Sequence, residues 1–137
     1  MPRGRFRVQA YPFSGRYEVC TRSPLTGIWG EASSGGWVGP YLKRTGYDAV
    51  IVKGRSSGPV YLLVTDRSVE IRDASYLWGK DAYETEAEIK KELKNPDVKV
   101  ACIGQGGENL VKFSGIMNDG GRTAGRCGVG AVWAPRT

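Results

Sequence analysis

The sequence contains no histidine, which excludes Ser-His-Asp and Cys-His catalysis as well as the usual zinc sites. Its three cysteines, Cys20, Cys102 and Cys127, are dispersed and odd in number, so they form neither a disulfide framework nor a local C-x-x-C metal motif. A reducing, cytoplasmic location is the corresponding default. Any chemistry here therefore depends on carboxylates, single thiols or a bound cofactor.

Long apolar runs are lacking as well. The longest run falls far short of the roughly 20 residues that a membrane span needs. The start of the chain, M-P-R-G-R-F-R, has no apolar core after its basic residues, so no signal peptide is predicted. We therefore expect no membrane partner.

What the sequence does contain is typical of one globular domain, which we assign to residues 1–137. Apolar residues make up 40% and charged residues 25%, so neither disorder nor a fibrous repeat is indicated. The formal net charge of +6 favours anionic partners, but charge alone does not separate nucleic acid, a phosphorylated cofactor and an acidic redox protein. The 20 glycines fall in discrete loops, where they indicate positive φ or close approach to another group.

Patterns of apolar residues predict an α+β domain with a mixed sheet. Asp81 and Glu84 form a capping-box pair ahead of a helix that ends before Pro96. A shorter helix is predicted over Trp37 to Arg44, and S-P-L-T-G is a turn signal. The predicted strands are Phe6–Ala10, Tyr17–Thr21, Ala49–Lys53, Val60–Val64, Val69–Arg72, Val98–Ile103 and Leu110–Ile116, with the third to fifth forming a meander. The glutamates of the longer helix, Glu84, Glu86, Glu88 and Glu92, are predicted to lie on a solvated charged face.

Three glycine-rich segments are candidates for binding. In G-Q-G-G-E-N, Asn109 stands where the last glycine of a dinucleotide fingerprint belongs, so we interpret it as a strand connection. Gly120 to Gly130 combines five glycines with Arg122 and Arg126, which fits either an anion-binding loop or a solvated turn. Ser33 to Gly36 is similar but uncharged, and on composition alone an ordinary turn is favoured.

Ordered motifs between Tyr11 and Trp133 carry a resemblance to a known family. They are R-Y-E-V-C-T-R-S-P-L-T-G, A-S-S-G-G, G-Y-D-A-V-I-V-K-G, V-E-I-R-D-A-S-Y-L-W-G-K, G-E-N-L-V-K-F-S-G-I-M-N-D-G and R-T-A-G-R-C-G-V-G-A-V. With these motifs the chain resembles the N-terminal domain of the tungsten-containing aldehyde ferredoxin oxidoreductases. The resemblance implies a saddle-like β domain beneath a tungsten or molybdenum ion that two molybdopterins hold.

Position by position, the resemblance also implies a cofactor site but no catalytic residue. The implied pterin and phosphate contacts are Arg16, Ser33, Gly35, Arg122, Thr123 and Gly125. A magnesium ion that bridges the phosphates is implied at the backbone carbonyls of Ser33 and Thr123. Ser33 stands where the family often has asparagine, and Thr123 where it often has alanine, changes that backbone contacts tolerate. We further expect the two glycine-rich loops to converge on one concave face, with Arg16 and Arg122 at its rim.

The chain also departs from the family pattern. The C-x-x-C-x-x-x-C set that ligates a [4Fe–4S] cluster is absent, and the A-P-R-T ending differs. Against the family pattern we also expect the later helical domains and the first part of the family domain to be missing. We therefore expect a fragment that is inactive alone, with the remaining domains of a parent enzyme and ferredoxin as partners. The parent activity is oxidation of an aldehyde to a carboxylic acid.

The exposed cofactor face is expected to allow self-association. The alternative is a basic non-catalytic module that binds nucleic acid or a partner protein.

Overall fold

The computed structural model describes residues 15–134, so the predicted strand Phe6–Ala10 lies outside the described residues. The strands are β1 (Tyr17–Arg22), β2 (Trp29–Ser34), β3 (Val60–Val64), β4 (Val69–Asp73), β5 (Ala101–Cys102), β6 (Ile116–Asn118) and β7 (Arg122–Ala124). The helices are α1 (Val38–Arg44), α2 (Ala82–Glu92), α3 (Gln105–Glu108) and α4 (Val129–Trp133), with a 3₁₀ turn at Ser75–Leu77. Helices and strands thus alternate irregularly, as in an α+β domain.

The strands form three small sheets, β1–β2, β3–β4 and β5–β6–β7, and every pair in them is antiparallel. The predicted mixed sheet is therefore wrong for the described residues. Short turns join β1 to β2, β3 to β4 and β6 to β7, and such turns allow only antiparallel pairing. The segment 103–115 between β5 and β6 holds the four-residue helix α3 and no crossover helix that would make the pair parallel.

The β1–β2 hairpin turns at the predicted S-P-L-T-G segment. The Ser23 hydroxyl accepts hydrogen bonds from the backbone N–H of Leu25 and Thr26 at 3.3 and 3.4 Å. Strand β2 was not predicted, because Gly30 and the small polar residues after it have low β propensity. It forms because its register with β1 buries Ala32 and Ser34.

Three predicted strands were wrong or too long. Ala49–Lys53 forms no strand, and Ile51 and Val52 are 80% and 71% exposed, since no neighbouring strand within residues 15–134 pairs with this β-branched segment. Leu110–Ile116 becomes turns up to its last residue, because Leu110 has a positive φ of 56° that ends extended pairing. Val98–Ile103 shortens to the two residues of β5 that pair with β6. By contrast, β3 and β4 form where predicted, as a hairpin.

The capping box of α2 is present as predicted. The Asp81 carboxylate accepts from the backbone N–H of Tyr83 and Glu84 at 2.8 Å, and the Glu84 side chain accepts from the Asp81 N–H. Helix α1 also forms as predicted, with Pro40 in its first turn, where the missing backbone N–H breaks no helical hydrogen bond.

No helix among the described residues has the length and apolar character needed to cross a membrane.

Two separate clusters of buried residues form the core. The first cluster is Ala32, Ile116, Ala124 and Val129, and it lies beneath β2, β6, β7 and the start of α4. The second cluster is Ala74, Leu77, Ile89 and Val100, and it lies between α2 and the β3–β4 hairpin. The glycine-rich segments therefore stand on the first cluster.

The charged face of α2 is only partly solvated, which corrects the sequence prediction. The Glu86 side chain is 16% exposed, forms an ion pair with Lys90 at 2.5 Å and accepts from the Gly120 N–H at 3.3 Å. Glu92 accepts hydrogen bonds from the hydroxyls of Tyr61 and Tyr76. Both carboxylates thus bond groups from other parts of the fold, which helical spacing alone does not reveal.

Truncation of Ile89 is expected to destabilise the chain far more than truncation of a surface residue of the same helix. Ile89→Ala should lower the free energy of unfolding by about 2–4 kcal/mol, because it opens a cavity in the second cluster. Glu86→Ala should cost about 1 kcal/mol through the lost hydrogen bonds, and the exposed control Lys91→Ala less than about 0.5 kcal/mol. Urea denaturation checks this order, and equal values for Ile89 and Lys91 would refute the assigned buried face.

Candidate functional site

The glycine-rich segments Ser33–Gly36 and Gly120–Gly130 meet in an open groove. The first contains the end of β2 and the second contains β7, and these two strands pack against each other. The groove has a volume of about 710 Å³, and its lining consists of Arg16, Glu18, Glu31, Ala32, Ser33, Thr123, Gly125 and Arg126. Four of the six predicted site residues therefore line one concave surface, although they lie in distant parts of the sequence.

The other two predicted residues, Gly35 and Arg122, adjoin the groove. A methyl group built on Gly35 would lie 3.4 Å from Nη1 of Arg122 and 3.9 Å from Nη1 of Arg16. Two guanidinium groups thus reach the same glycine, Arg16 from the start of β1 and Arg122 from the start of β7. The predicted convergence of the loops, with both arginines beside it, is present in the structure.

Arg16 is fixed by Ser33 across the β1–β2 hairpin. Its Nε donates to the Ser33 hydroxyl at 2.6 Å, and its Nη2 donates to the Ser33 carbonyl at 3.2 Å. This two-point contact holds the guanidinium in place, with its Nη1 lying 3.9 Å from a methyl group built on Gly35. Ser33 therefore contributes its hydroxyl as well as its backbone, a role that the family asparagine does not predict.

Thr123 and Gly125 form the opposite wall. Thr123 lies in β7 opposite Met117, and its hydroxyl donates to the Met117 sulfur. A methyl group on Gly125 would lie 3.2 Å from the Thr123 Cγ2 atom, so glycine keeps this wall shallow. Both residues are exposed, which leaves the wall accessible to a ligand.

The groove also contains residues that the sequence did not single out. Glu18 and Glu31 line it together with Arg16 and Arg126, so its charge is mixed. In the β1–β2 register Glu18 pairs with Ser33 and Glu31 with Cys20, which places these side chains on the exposed face of the hairpin. The alternation of exposed residues along β1 could have revealed Glu18, but β2 was not predicted as a strand.

The residues present fit a planar group that carries phosphates. Guanidinium forks bind phosphate oxygens through paired hydrogen bonds, and glycines allow a flat ring to approach the backbone closely. Arg16, Arg122 and Gly35 supply both features in one place. Within residues 15–134, no group of three or more histidine, cysteine, aspartate or glutamate side chains could hold a metal ion directly. The positions of Arg16, Arg122 and Gly35 therefore support binding of a planar ligand that carries phosphates.

The three free cysteines occupy different environments. Cys20 and Cys127 are exposed, whereas Cys102 in β5 is half-buried, and its thiol lies 3.8 Å from the Ala82 carbonyl. Burial raises the pKa of the Cys102 thiol to about 11, with smaller contributions from the negative charges of Glu86 and Asp81. Because burial disfavours the thiolate, the folded structure holds this side chain in its protonated form.

Cys102 is expected to alkylate about 100-fold more slowly in the folded chain than in urea, since the reactive thiolate is suppressed by the shift of its pKa from 9.0 to about 11. Below pH 9 the thiol is protonated in both the folded and the unfolded chain, so the shift has no effect on stability; as the pH rises from 9 towards 11 the unfolded chain ionises first, and the free energy of unfolding falls. Iodoacetamide labelling at pH 8 followed by peptide mass spectrometry measures the rate. Labelling of Cys102 as fast as the exposed Cys20 would contradict the assigned burial.

The sequence matches a family profile over nearly its whole length. The profile is described as "Aldehyde ferredoxin oxidoreductase, N-terminal domain", and the match covers residues 3–137. The chain belongs to this family. All six predicted site residues lie within the matched region of this aldehyde ferredoxin oxidoreductase N-terminal domain.

Individual relatives agree with the family assignment. The chain is 58% identical over 121 residues to the tungsten-containing aldehyde ferredoxin oxidoreductase of Pyrococcus furiosus. The aligned region covers 88% of this chain and 20% of that protein. The chain is 37% identical over 139 residues to the WOR-like subunit of an aliphatic sulfonate oxidoreductase of the same organism, covering 88% of the chain and 22% of the relative.

A solved structure shares the fold. It is the active-site complex BamBC of benzoyl coenzyme A reductase with 1,5-dienoyl coenzyme A, at a TM-score of 0.83 and 46% identity. The similarity covers 86% of this chain and 18% of that chain. The domain thus spans about a fifth of the length of the relatives that it matches.

Proposed function

We propose that this domain binds a tungsten or molybdenum bis-molybdopterin cofactor in the groove between its two glycine-rich loops. The observation that carries the proposal is the approach of Arg16 and Arg122 to Gly35, with Ser33, Thr123 and Gly125 around it. The names of its relatives support it, because they include tungsten-containing enzymes. The three small sheets would then serve as the saddle-like base of the cofactor.

Each residue has a role that follows from its position. The guanidinium groups of Arg16 and Arg122 bind the phosphates of the pterins, and Gly35 and Gly125 allow the ring system to approach the backbone. The backbone carbonyls of Ser33 and Thr123 would hold a magnesium ion, whose charge would offset that of the phosphates. In the structure the Ser33 carbonyl accepts a hydrogen bond from Arg16, which uses one of its two lone pairs.

The relatives act on different compounds, yet they share this domain. Their names refer to an aldehyde, an aliphatic sulfonate and a benzoyl coenzyme A reductase complex, while each of them is similar to this domain over 86–88% of its length. A domain shared by enzymes with different substrates is best explained by binding of the common cofactor, not by choice of substrate. We therefore assign no substrate contact to this chain.

For the parent enzyme we propose oxidation of an aldehyde to a carboxylic acid. Water supplies the added oxygen atom, and two electrons and two protons are released, the electrons passing to ferredoxin. The bound metal-pterin supplies this two-electron chemistry. The residues of this domain hold the pterin and its phosphates, and the remaining domains supply the [4Fe–4S] cluster and the substrate pocket.

Cofactor content tests the proposal directly. The chain is produced in cells that make the tungsten pterin. Bound pterin is measured as its fluorescent oxidised derivative, and bound tungsten and magnesium are measured by mass spectrometry. Arg16→Met and Arg122→Met should each lower the bound pterin about tenfold through loss of a charge-assisted phosphate contact. The control Arg67→Met, in the turn between β3 and β4, should leave it unchanged. Absence of pterin from the unaltered chain, together with salt-sensitive oligonucleotide binding, would instead support the basic binding module.

The chain alone is expected to be inactive even when it holds the cofactor. Its cysteines lie in β1, in β5 and before α4, and its 137 residues span about a fifth of the length of the relatives that it matches. It should contain no iron and should not reduce a viologen dye with any aldehyde. Iron and acid-labile sulfide at about one cluster per chain would overturn this expectation.

A further inference from the structure

The side chain of Asn118 connects the two glycine-rich loops. Asn118 ends β6 and is 3% exposed. Its Oδ1 accepts hydrogen bonds from the Ser34 hydroxyl at 2.8 Å and from the Tyr17 hydroxyl at 3.0 Å. Its Nδ2 donates to the Gly35 carbonyl at 2.9 Å and to the Asp119 carboxylate at 2.8 Å. An amide offers two acceptor and two donor positions, and here all four are used.

The partners of Asn118 belong to segments that adjoin the groove on both sides. Ser34 and Gly35 end β2 and begin the first loop, whereas Asn118 and Asp119 begin the turn of the second. The bonded side chains are separated by 84 positions for Ser34 and 101 positions for Tyr17. One buried amide therefore fixes the distance and orientation between segments that are remote in sequence.

Asp119 adds a second connection. It has a positive φ of 46°, a conformation that is unfavourable for a residue with a side chain. In this conformation its Oδ2 accepts from the Trp37 backbone N–H at 2.6 Å as well as from Asn118. The backbone on both sides of Gly36 is thus held by the second loop, Gly35 through Asn118 and Trp37 through Asp119.

Gly36 shows how closely the two loops approach. Its φ is +101°, and a methyl group there would lie 2.9 Å from both Asn118 Nδ2 and the Cδ atom of Arg122. The aliphatic part of Arg122 therefore lies against Gly36, and its guanidinium reaches Gly35. The position of this cation relative to Arg16 depends on the contact that Asn118 and Asp119 maintain.

We propose that Asn118 is a positioning residue that holds the two loops at the separation and angle at which Arg16 and Arg122 bind the pterin phosphates. The inference rests on the proposed function, because it assigns to Asn118 the geometry of that same groove. Asn118 touches no phosphate itself and acts through Gly35 and Asp119. Asp119 has the same role through Trp37.

Pterin retention by three variants of the full chain tests the inference. Asn118→Asp keeps the size and Oδ1 of the side chain but removes both donors and places a second carboxylate beside Asp119. Asn109→Asp makes the same chemical change on the exposed end of α3, where the amide donates only to the Gln105 carbonyl at 2.8 Å. Ile89→Ala destabilises the second core cluster, which has no residue in the groove. Each variant is produced with the tungsten pterin, and its urea midpoint, circular dichroism and bound pterin are measured.

We expect Asn118→Asp to retain about tenfold less pterin than the unaltered chain under conditions in which circular dichroism shows it folded. Asn109→Asp should retain the full amount, and Ile89→Ala should also retain it despite a lower urea midpoint. Equal retention by Asn118→Asp and Asn109→Asp would overturn the inference, as would equal loss in Ile89→Ala, since retention would then follow stability. If the unaltered chain holds no pterin, the proposed function itself fails.

A second variant covers the case in which Asn118→Asp does not fold. Asp119→Ala removes the bond to the Trp37 N–H and leaves the buried amide with its other three partners. We expect this folded variant to retain about threefold less pterin through loss of one charge-assisted bond to the loop. Full retention by folded Asp119→Ala would overturn the inference.

Discussion

Replacing Gly128 with alanine is expected to lower the free energy of unfolding by about 4 kcal/mol or more, which is a severe effect for one methyl group. Gly128 precedes α4 in the left-handed conformation, with φ 68° and ψ 29°. An added Cβ would overlap the Lys112 carbonyl oxygen and would lie 3.0 Å from Pro24 Cγ. Neither neighbour can move freely, because one is backbone and the other a proline ring.

Gly120→Ala is the matched control for this prediction. Gly120 has the same φ of 68°, but no atom lies within 4 Å of an added Cβ. It should cost only the conformational penalty of about 1–2 kcal/mol. Urea denaturation of both variants separates the steric contribution from the conformational one. Similar urea midpoints for Gly128→Ala and Gly120→Ala would show that Gly128 lies farther from the Lys112 carbonyl than in the structure.

Gly36→Ala is expected to damage both the stability and the groove. The free energy of unfolding should fall by about 3 kcal/mol or more, since the new methyl group strains a φ of +101° and overlaps the Asp119 carboxylate. Bound pterin should fall about tenfold or more, because the loops must separate and Arg122 moves with them. Denaturation and pterin content of the same preparation give the two values.

The control is Gly46→Ala, where φ is +95° and no atom lies within 4 Å of the added Cβ. It should show a penalty of about 1–2 kcal/mol and no loss of pterin. If Gly46→Ala lost as much pterin as Gly36→Ala, the loss would reflect general destabilisation and not the closeness of the two loops.

The parts of the fold that the sequence predicted are those whose signals are local. The capping box of Asp81 and Glu84 specifies the start of α2 through its own hydrogen bonds. The β-branched strands β3 and β4 are joined by a short turn, so their pairing needs no distant partner. In both cases residues within a short stretch contain the information for the structure.

The parts that it missed depend on distant contacts. Strand β2 has poor β propensity and forms because β1 pairs with it, while Ala49–Lys53 has high propensity and forms no strand without a neighbour. In the site, the glycine composition and the family resemblance gave the six residues, but composition could not show that Glu18 and Glu31 share the groove. The role of Asn118 was also missed, because its partners are up to 101 positions away.

Strand β5 lies between the two core clusters and contacts both of them. It has only two residues, and successive side chains of a strand point to opposite faces, so Ala101 packs on the first core cluster and Cys102 on the second. Hydrogen exchange should therefore reveal two cooperative units, one formed by α2 and the β3–β4 hairpin around the second cluster and the other formed by the segments around the groove.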